Sequence, residues 1–216
     1  MRKFAAALFM LAAVSAAFAA EPVLSDYAVE AAEEAEQLVL VRGKGGSNAD
    51  FSMYERDDAG QWKRVLQAPA YIGKKGWGKK KEGDGKSPVG VFRFTMAFGI
   101  EPDPGCALGY TQADGTHYWV GDSNSEFYNR FVSTRDHDGF NRKDSEHIVD
   151  YKLAYPYVLN ISYNEEGKPG LGSAIFLHCQ TKNHFTGGCV AIPKDVMIKV
   201  MRRVREGCVV VLDDGR

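Results

Sequence analysis

GSAIFLHCQTKNHFTGGCVAIP, residues 172–193, holds the fold signal and the chemistry in one stretch. Ala174 to Leu177 is an apolar, β-forming run that ends in His178. A polar loop follows, Thr186-Gly187-Gly188 leads into Cys189, and Val190-Ala191-Ile192 resumes the apolar pattern. Two strands with a loop that closes on itself would bring the imidazole at the end of one beside the thiol at the start of the other. A thiol needs a base or a cation nearby to ionise near neutral pH, since a free Cys titrates at about 8.5. His is the usual partner. Gly187 and Gly188 let the backbone turn tightly, so their N–H groups and that of Cys189 can converge as an oxyanion hole. Such a pairing predicts a Cys189 that alkylates faster than a free thiol near neutral pH.

The same residue types admit other uses. Cys189 would also suit a buried core position or a disulfide to Cys179. His178, Cys179, His184 and Cys189 offer the nitrogen and sulfur ligands that zinc takes, although no paired C-x-x-C is present.

Outward from this stretch the chain reads mostly as short strands. Leu38 to Val41, Phe51 to Glu55, Trp62 to Leu66, Val89 to Phe94, His117 to Val120, Tyr157 to Tyr163 and Cys208 to Leu212 are apolar or β-rich runs. Asp57-Asp58-Ala59-Gly60 and Asn164-Glu165-Glu166-Gly167 read as turns. Met197, Val200, Met201 and Val204 recur at helical spacing after Pro193, and Gly207 is the expected end of that helix. Residues 22–37 are Ala- and Glu-rich and read as a surface helix capped at Ser25. Residues 101–156 are polar and Gly-rich and give no clear pattern.

Composition narrows the function. The 216 residues carry 27 Lys and Arg against 28 Asp and Glu, a net charge of −1, which argues against a nucleic-acid binder. Hydrophobic residues make up 44%, enough for an ordinary core and too much for a disordered chain. Four Cys exclude a disulfide-built miniprotein.

Residues 1–19 have the form of an export signal: Arg2 and Lys3, an apolar stretch, then Ala17-Phe18-Ala19. The apolar stretch is short for a membrane span. The expected product is exported to the periplasm or cell envelope with no stable membrane anchor. Residues 20–37 would be a helical lead-in. Residues 73–88, GKKGWGKKKEGDGKSP, hold six Lys. They miss the phosphate-binding pattern, because Lys80 stands where Gly is required. The stretch reads either as a solvated flexible loop or as a cationic rim for an anionic polymer, with Trp77 stacking on a sugar.

His178, the loop, Thr186-Gly187-Gly188-Cys189 and Val190-Ala191-Ile192 together resemble the YkuD-like L,D-transpeptidase catalytic domain family. Lys86-Ser87-Pro88-Val89-Gly90-Val91-Phe92 is similar to an upstream stretch of that family, and Ser145-Glu146-His147 to one branch of it. Ala191 stands where many members carry Arg, and the His-to-Cys spacing is short, so the likeness is to a short-loop, Gly-Cys-Val-Ala branch. The resemblance spans residues 38–213 and implies that they form a mostly β, sandwich-like catalytic domain with a few helices. It implies a cysteine enzyme of peptidoglycan biosynthesis and cell shape that needs no cofactor or metal. Cys189 would attack a stem peptide, release D-Ala through a thioester and pass the acyl group to an acceptor amine. Transfer to water instead would make it a carboxypeptidase, and a non-catalytic peptidoglycan-binding module is the alternative from another class. His178 would be the base, Gly188 and Cys189 the oxyanion donors, Thr186 would orient the loop or His178, and His117, Glu146 and His147 are candidate cleft residues. With Cys189 free, Cys106, Cys179 and Cys208 leave any single pairing open.

Overall fold

Leu38-Val39-Leu40-Val41 is apolar at every position because its strand is covered on both faces. The computed structural model describes residues 22–215, so the export signal at residues 1–19 lies outside the described residues. β1 (Gln37–Gly45) sends Val39 and Val41 into the main core and Leu38 and Leu40 towards a helix, α1 (Asp26–Glu33). That helix buries Ala28 and Ala32 against the strand. Ser25 does not cap it through its side chain; its Oγ instead donates to Asp213 Oδ2 at 2.9 Å, which ties the lead-in to the end of the domain.

β2 (Asn48–Arg56) and β3 (Trp62–Tyr71) form the hairpin that the Asp-Asp-Ala-Gly turn announces. β4 (Gly90–Gly99) and β5 (Tyr110–Gln112) run parallel. Later come β9 (Val158–Ile161), β10 (Phe176–Cys179), β11 (Val190–Ile192) and β12 (Val209–Asp213). The strand order is β12-β1-β2-β3-β11-β10-β9-β4-β5, and β12 also pairs with β4. The two layers of the expected mostly β domain are therefore continuous through hydrogen bonds, and most strand edges are paired away. Phe51, Met53, Ile72, Leu159, Leu177, Val190 and Ile192 fill the interior.

α2 (Lys194–Arg203) closes one end of that interior with Met197, Val200 and Met201. The expected stop at Gly207 is four residues late. Val204 already leaves the helix at ψ 135° while staying fully buried, and Gly207, at φ +82°, turns the chain into β12.

The stretch 101–156 builds a second, small sheet in the order β7-β6-β8. β6 (His117–Trp119), β7 (Phe131–Ser133) and β8 (Glu146–His147) are two or three residues long, too short for alternation to show in sequence. Phe98, Trp119, Ile148, Tyr155, Val158 and Phe176 cement it onto the outer face of β9 and β10. Among the described residues no helix is long and apolar enough to cross a membrane.

Candidate active site

β10 and β11 run parallel, with Leu177 opposite Val190 and His178 opposite Ala191. Successive side chains of each strand point to opposite faces of the sheet. Leu177, Cys179, Val190 and Ile192 point into the interior. Phe176, His178, Cys189 and Ala191 fall on the other face, under the small sheet. His178 and Cys189 thus share a face on neighbouring strands and line one cleft of about 710 Å³. Cys179 lies on the opposite face, in the main core, and His184 stacks on Tyr71 outside the cleft. The four candidate zinc ligands do not converge, and a bridge from Cys179 to Cys189 would have to cross the sheet. Cys106, Cys179, Cys189 and Cys208 are all free thiols.

The turn before the thiol is held from two sides. Thr186 Oγ1 donates to the Cys189 carbonyl at 2.7 Å and accepts the Gly188 N–H at 3.1 Å, so Thr186 orients the loop and not His178. That bond engages the Gly188 N–H, one of the two groups expected to hold an oxyanion. Gly188 sits at φ +154°, and a Cβ there would lie 2.8 Å from the Lys86 carbonyl oxygen, so a side chain is excluded. From the other side the fully buried Ser87 donates through Oγ to the Gly188 carbonyl at 2.6 Å and accepts the Gly73 N–H at 2.9 Å. Ser87→Ala would leave both backbone groups unpaired in a dry site. The expected loss is about 2 kcal/mol, read from urea unfolding, and an unchanged midpoint would refute this tie.

Acidic side chains pin the Lys-rich segment. Asp84 accepts the backbone N–H groups of Lys80, Lys81 and Lys86, and its carboxyl is held down at about 2 against the desolvation that opposes it. Glu82 accepts the hydroxyls of Tyr128 at 2.7 Å and Ser173 at 2.9 Å. The Lys79 side chain is 3% exposed, pairs with Asp84 at 3.4 Å and forms part of the cleft wall. Trp77 is turned away from the cleft: it packs on the main core, with its indole nitrogen against Gly43.

The charges of the two reactive groups are set by burial. His178 is 7% exposed, and desolvation lowers its pKa from 6.5 to about 4 against the bond to the Cys179 carbonyl. That carbonyl accepts from Nδ1 at 2.9 Å, so Nδ1 carries the proton and Nε2 keeps a free lone pair. Cys189 is pushed up to about 12, first by desolvation and then by the negative charge of Glu146; the Phe176 N–H and Lys79 pull it down. Its thiol donates to the Ala174 carbonyl at 3.1 Å, and among the described residues no hydrogen bond joins it to His178. The resting pair is therefore neutral thiol and neutral imidazole. Burial of both groups opposes the ion pair that fast alkylation near neutral pH would need.

Ala174 presents that carbonyl from φ +55°, and its N–H donates to the buried Asn129 at 3.0 Å. Neither residue carries a sequence signal. Of the candidate cleft residues Glu146 lines the cleft, and its carboxylate accepts from Tyr155 at 2.6 Å. Tyr155 in turn stands edge-on to the His178 ring, at 5.5 Å. His117 and His147 do not reach the cleft. His117 is paired to Asp114 at 2.9 Å; His147 stacks on Tyr118 and contacts Asp150 at 3.1 Å. The one-residue alternation that turns Glu146 inward turns His147 outward.

Residues 48–212 match the YkuD family, the L,D-transpeptidase catalytic domain. The chain belongs to that family. Solved structures with a similar fold include the helical cell shape determining protein Pgp2 of Campylobacter jejuni. It is 17% identical with a TM-score of 0.43, over 83% of this chain and 48% of that one. L,D-transpeptidase 1 of Mycobacterium tuberculosis is 12% identical with a TM-score of 0.37, over 82% and 62%. The chain spans about half the length of Pgp2. No protein of curated function matches it. In this member of the L,D-transpeptidase family, Ser87 and the Thr186-Gly187-Gly188 turn bracket Cys189, and Thr181, Asn183 and Phe185 of the short polar loop line the cleft.

Proposed function

We propose that this chain is a cysteine acyltransferase of the cell envelope that acts on peptidoglycan stem peptides. The observation that carries the reading is the shared face of His178 and Cys189 in one cleft, in a chain of the L,D-transpeptidase family. His178 Nε2 takes the thiol proton as Cys189 Sγ attacks the carbonyl between the L-centre of a diamino acid and a terminal D-Ala. The Gly187 and Cys189 N–H groups face the oxyanion. The C–N bond breaks, His178 returns the proton to the leaving amine, and D-Ala departs from a thioester. An acceptor amine then attacks the thioester, its proton passes through His178 to the sulfur, and the cross-link leaves with the thiol restored. One peptide bond replaces another, so no external energy source is needed. The catalytic domain runs from β1 to β12, and the export signal at residues 1–19 directs it to the periplasm.

Incubation with tetrapeptide-bearing muropeptides tests the reading. Cross-linked dimers are the expected product. Tripeptides alone would make water the acceptor and the enzyme a carboxypeptidase. Full turnover by Cys189→Ala would remove the cysteine mechanism altogether.

A further inference from the structure

We infer that Glu146 is a specificity residue: it receives an ammonium group of the substrate, and its neutralisation by that group lets Cys189 give up its proton. This rests on the acyl-transfer reading, which brings amines into the cleft with both donor and acceptor.

Little around the sulfur favours a negative charge. Its proton is held by the Ala174 carbonyl, and among the described residues only the Phe176 N–H, at 3.4 Å, supports negative charge on it by a hydrogen bond. Of the two lysines that line the cleft, Lys74 is exposed, and Lys79 is occupied by Asp84 and by the Lys81 carbonyl at 3.2 Å. Glu146 enters the same cleft from β8, and its hydrogen-bond partner is the neutral Tyr155 hydroxyl. Among the described residues no Lys or Arg forms an ion pair with it. Tyr155 and Tyr151 from the turn before β9, Cys189 and Glu82 interact with it electrostatically, and His178, Asp144, Lys74 and Lys79 line the same cleft. An ionised carboxylate there opposes a thiolate. Desolvation, with Glu82 adding to it, raises the Glu146 carboxyl to about 7, so an approaching cation finds a group ready to ionise. An ammonium beside Glu146 would cancel the repulsion and complete a site that is deficient in positive charge. The nucleophile is then quiet without substrate and active with it, which protects a free thiol in an oxidising compartment.

Two measurements on the mature protein test this. At about pH 8, Glu146→Gln is expected to alkylate with iodoacetamide about tenfold faster than wild type at Cys189, with Cys189→Ser as the blank. Wild type is expected to turn over a stem tetrapeptide with a free side-chain amine about tenfold better in kcat/KM than its Nε-acetylated twin. Glu146→Gln is expected to bring the two within about twofold, and Glu146→Asp to restore the preference. A merely structural role would depress both substrates equally and leave the ratio alone. Wild-type alkylation rates in Glu146→Gln, a wild type indifferent to acetylation, or a preference that survives in Glu146→Gln would each overturn the inference. The acetylation comparison uses wild type, so a poorly folding variant does not blunt it. Wild type that cleaves both peptides equally sinks this inference alone; wild type that cleaves neither sinks the acyl-transfer reading with it.

Discussion

Cys189→Ser is expected to lower turnover of tetrapeptide stems by about a thousandfold or more, with little change in stability. Serine fits the space, and its hydroxyl can make the same bond to the Ala174 carbonyl that the thiol makes. What it cannot do is ionise with help from a base as weak as His178, whose pKa burial holds near 4. His178→Gln should reduce kcat by about a hundredfold to ten-thousandfold, because it removes Nε2 as proton acceptor and, later, as donor to the leaving amine. Gln preserves a side-chain group able to donate to the Cys179 carbonyl, so the strand end survives the change. Intact-mass analysis after exposure to a carbapenem gives an independent readout. Wild type should gain one adduct, His178→Gln should gain it slowly, and Cys189→Ser should gain none. An adduct on Cys189→Ser would mean another residue is the nucleophile.

The second large effect concerns stability against pH. The fold accommodates His178 as the neutral form, with a folded pKa of about 4 below its ordinary 6.5. Its stabilising contribution is complete above pH 6.5 and is lost as the pH falls towards 4. Glu146 behaves oppositely. Its folded pKa of about 7 exceeds the ordinary 4.5, so its contribution is complete below pH 4.5 and is lost as the pH rises through 7. Each shift corresponds to roughly 3 kcal/mol. Between pH 4.5 and 6.5 the two slopes cancel, so wild-type stability should be nearly flat there. Asp84, held at about 2, responds only below that window. His178→Gln leaves Glu146 unopposed, and its urea midpoint should fall as pH rises across the window. Glu146→Gln leaves His178 unopposed, and its midpoint should rise with pH. Two flat profiles would show that these groups do not titrate as their burial requires.

Much of the fold was legible residue by residue. The hairpin at residues 57–60 follows from Asp-Asp-Ala-Gly between β-forming runs, and α2 from the spacing of Met197, Val200 and Met201. Both are local signals, a turn type and a helical period. Thr186 and the glycines before Cys189 announced a tight turn for the same reason. Tyr155 and Lys79 were not legible as cleft residues, nor was the hold of Ser87 on Gly188. The Ser87 contact joins residues 101 positions apart, and the strands of the small sheet are too short to display a period. His147 and His117 misled because a histidine in a strand faces the site or turns from it according to register, which neighbouring strands set.

The sequence by itself placed His178 and Cys189 one short loop apart with a glycine turn before the thiol, because these features depend on residue type and short spacing. Tertiary structure decided their charge state and their company. Desolvation, the Ala174 carbonyl and the Glu146 carboxylate all reach Cys189 from other segments, and electrostatics in a dry cleft depends on distance in space, not along the chain.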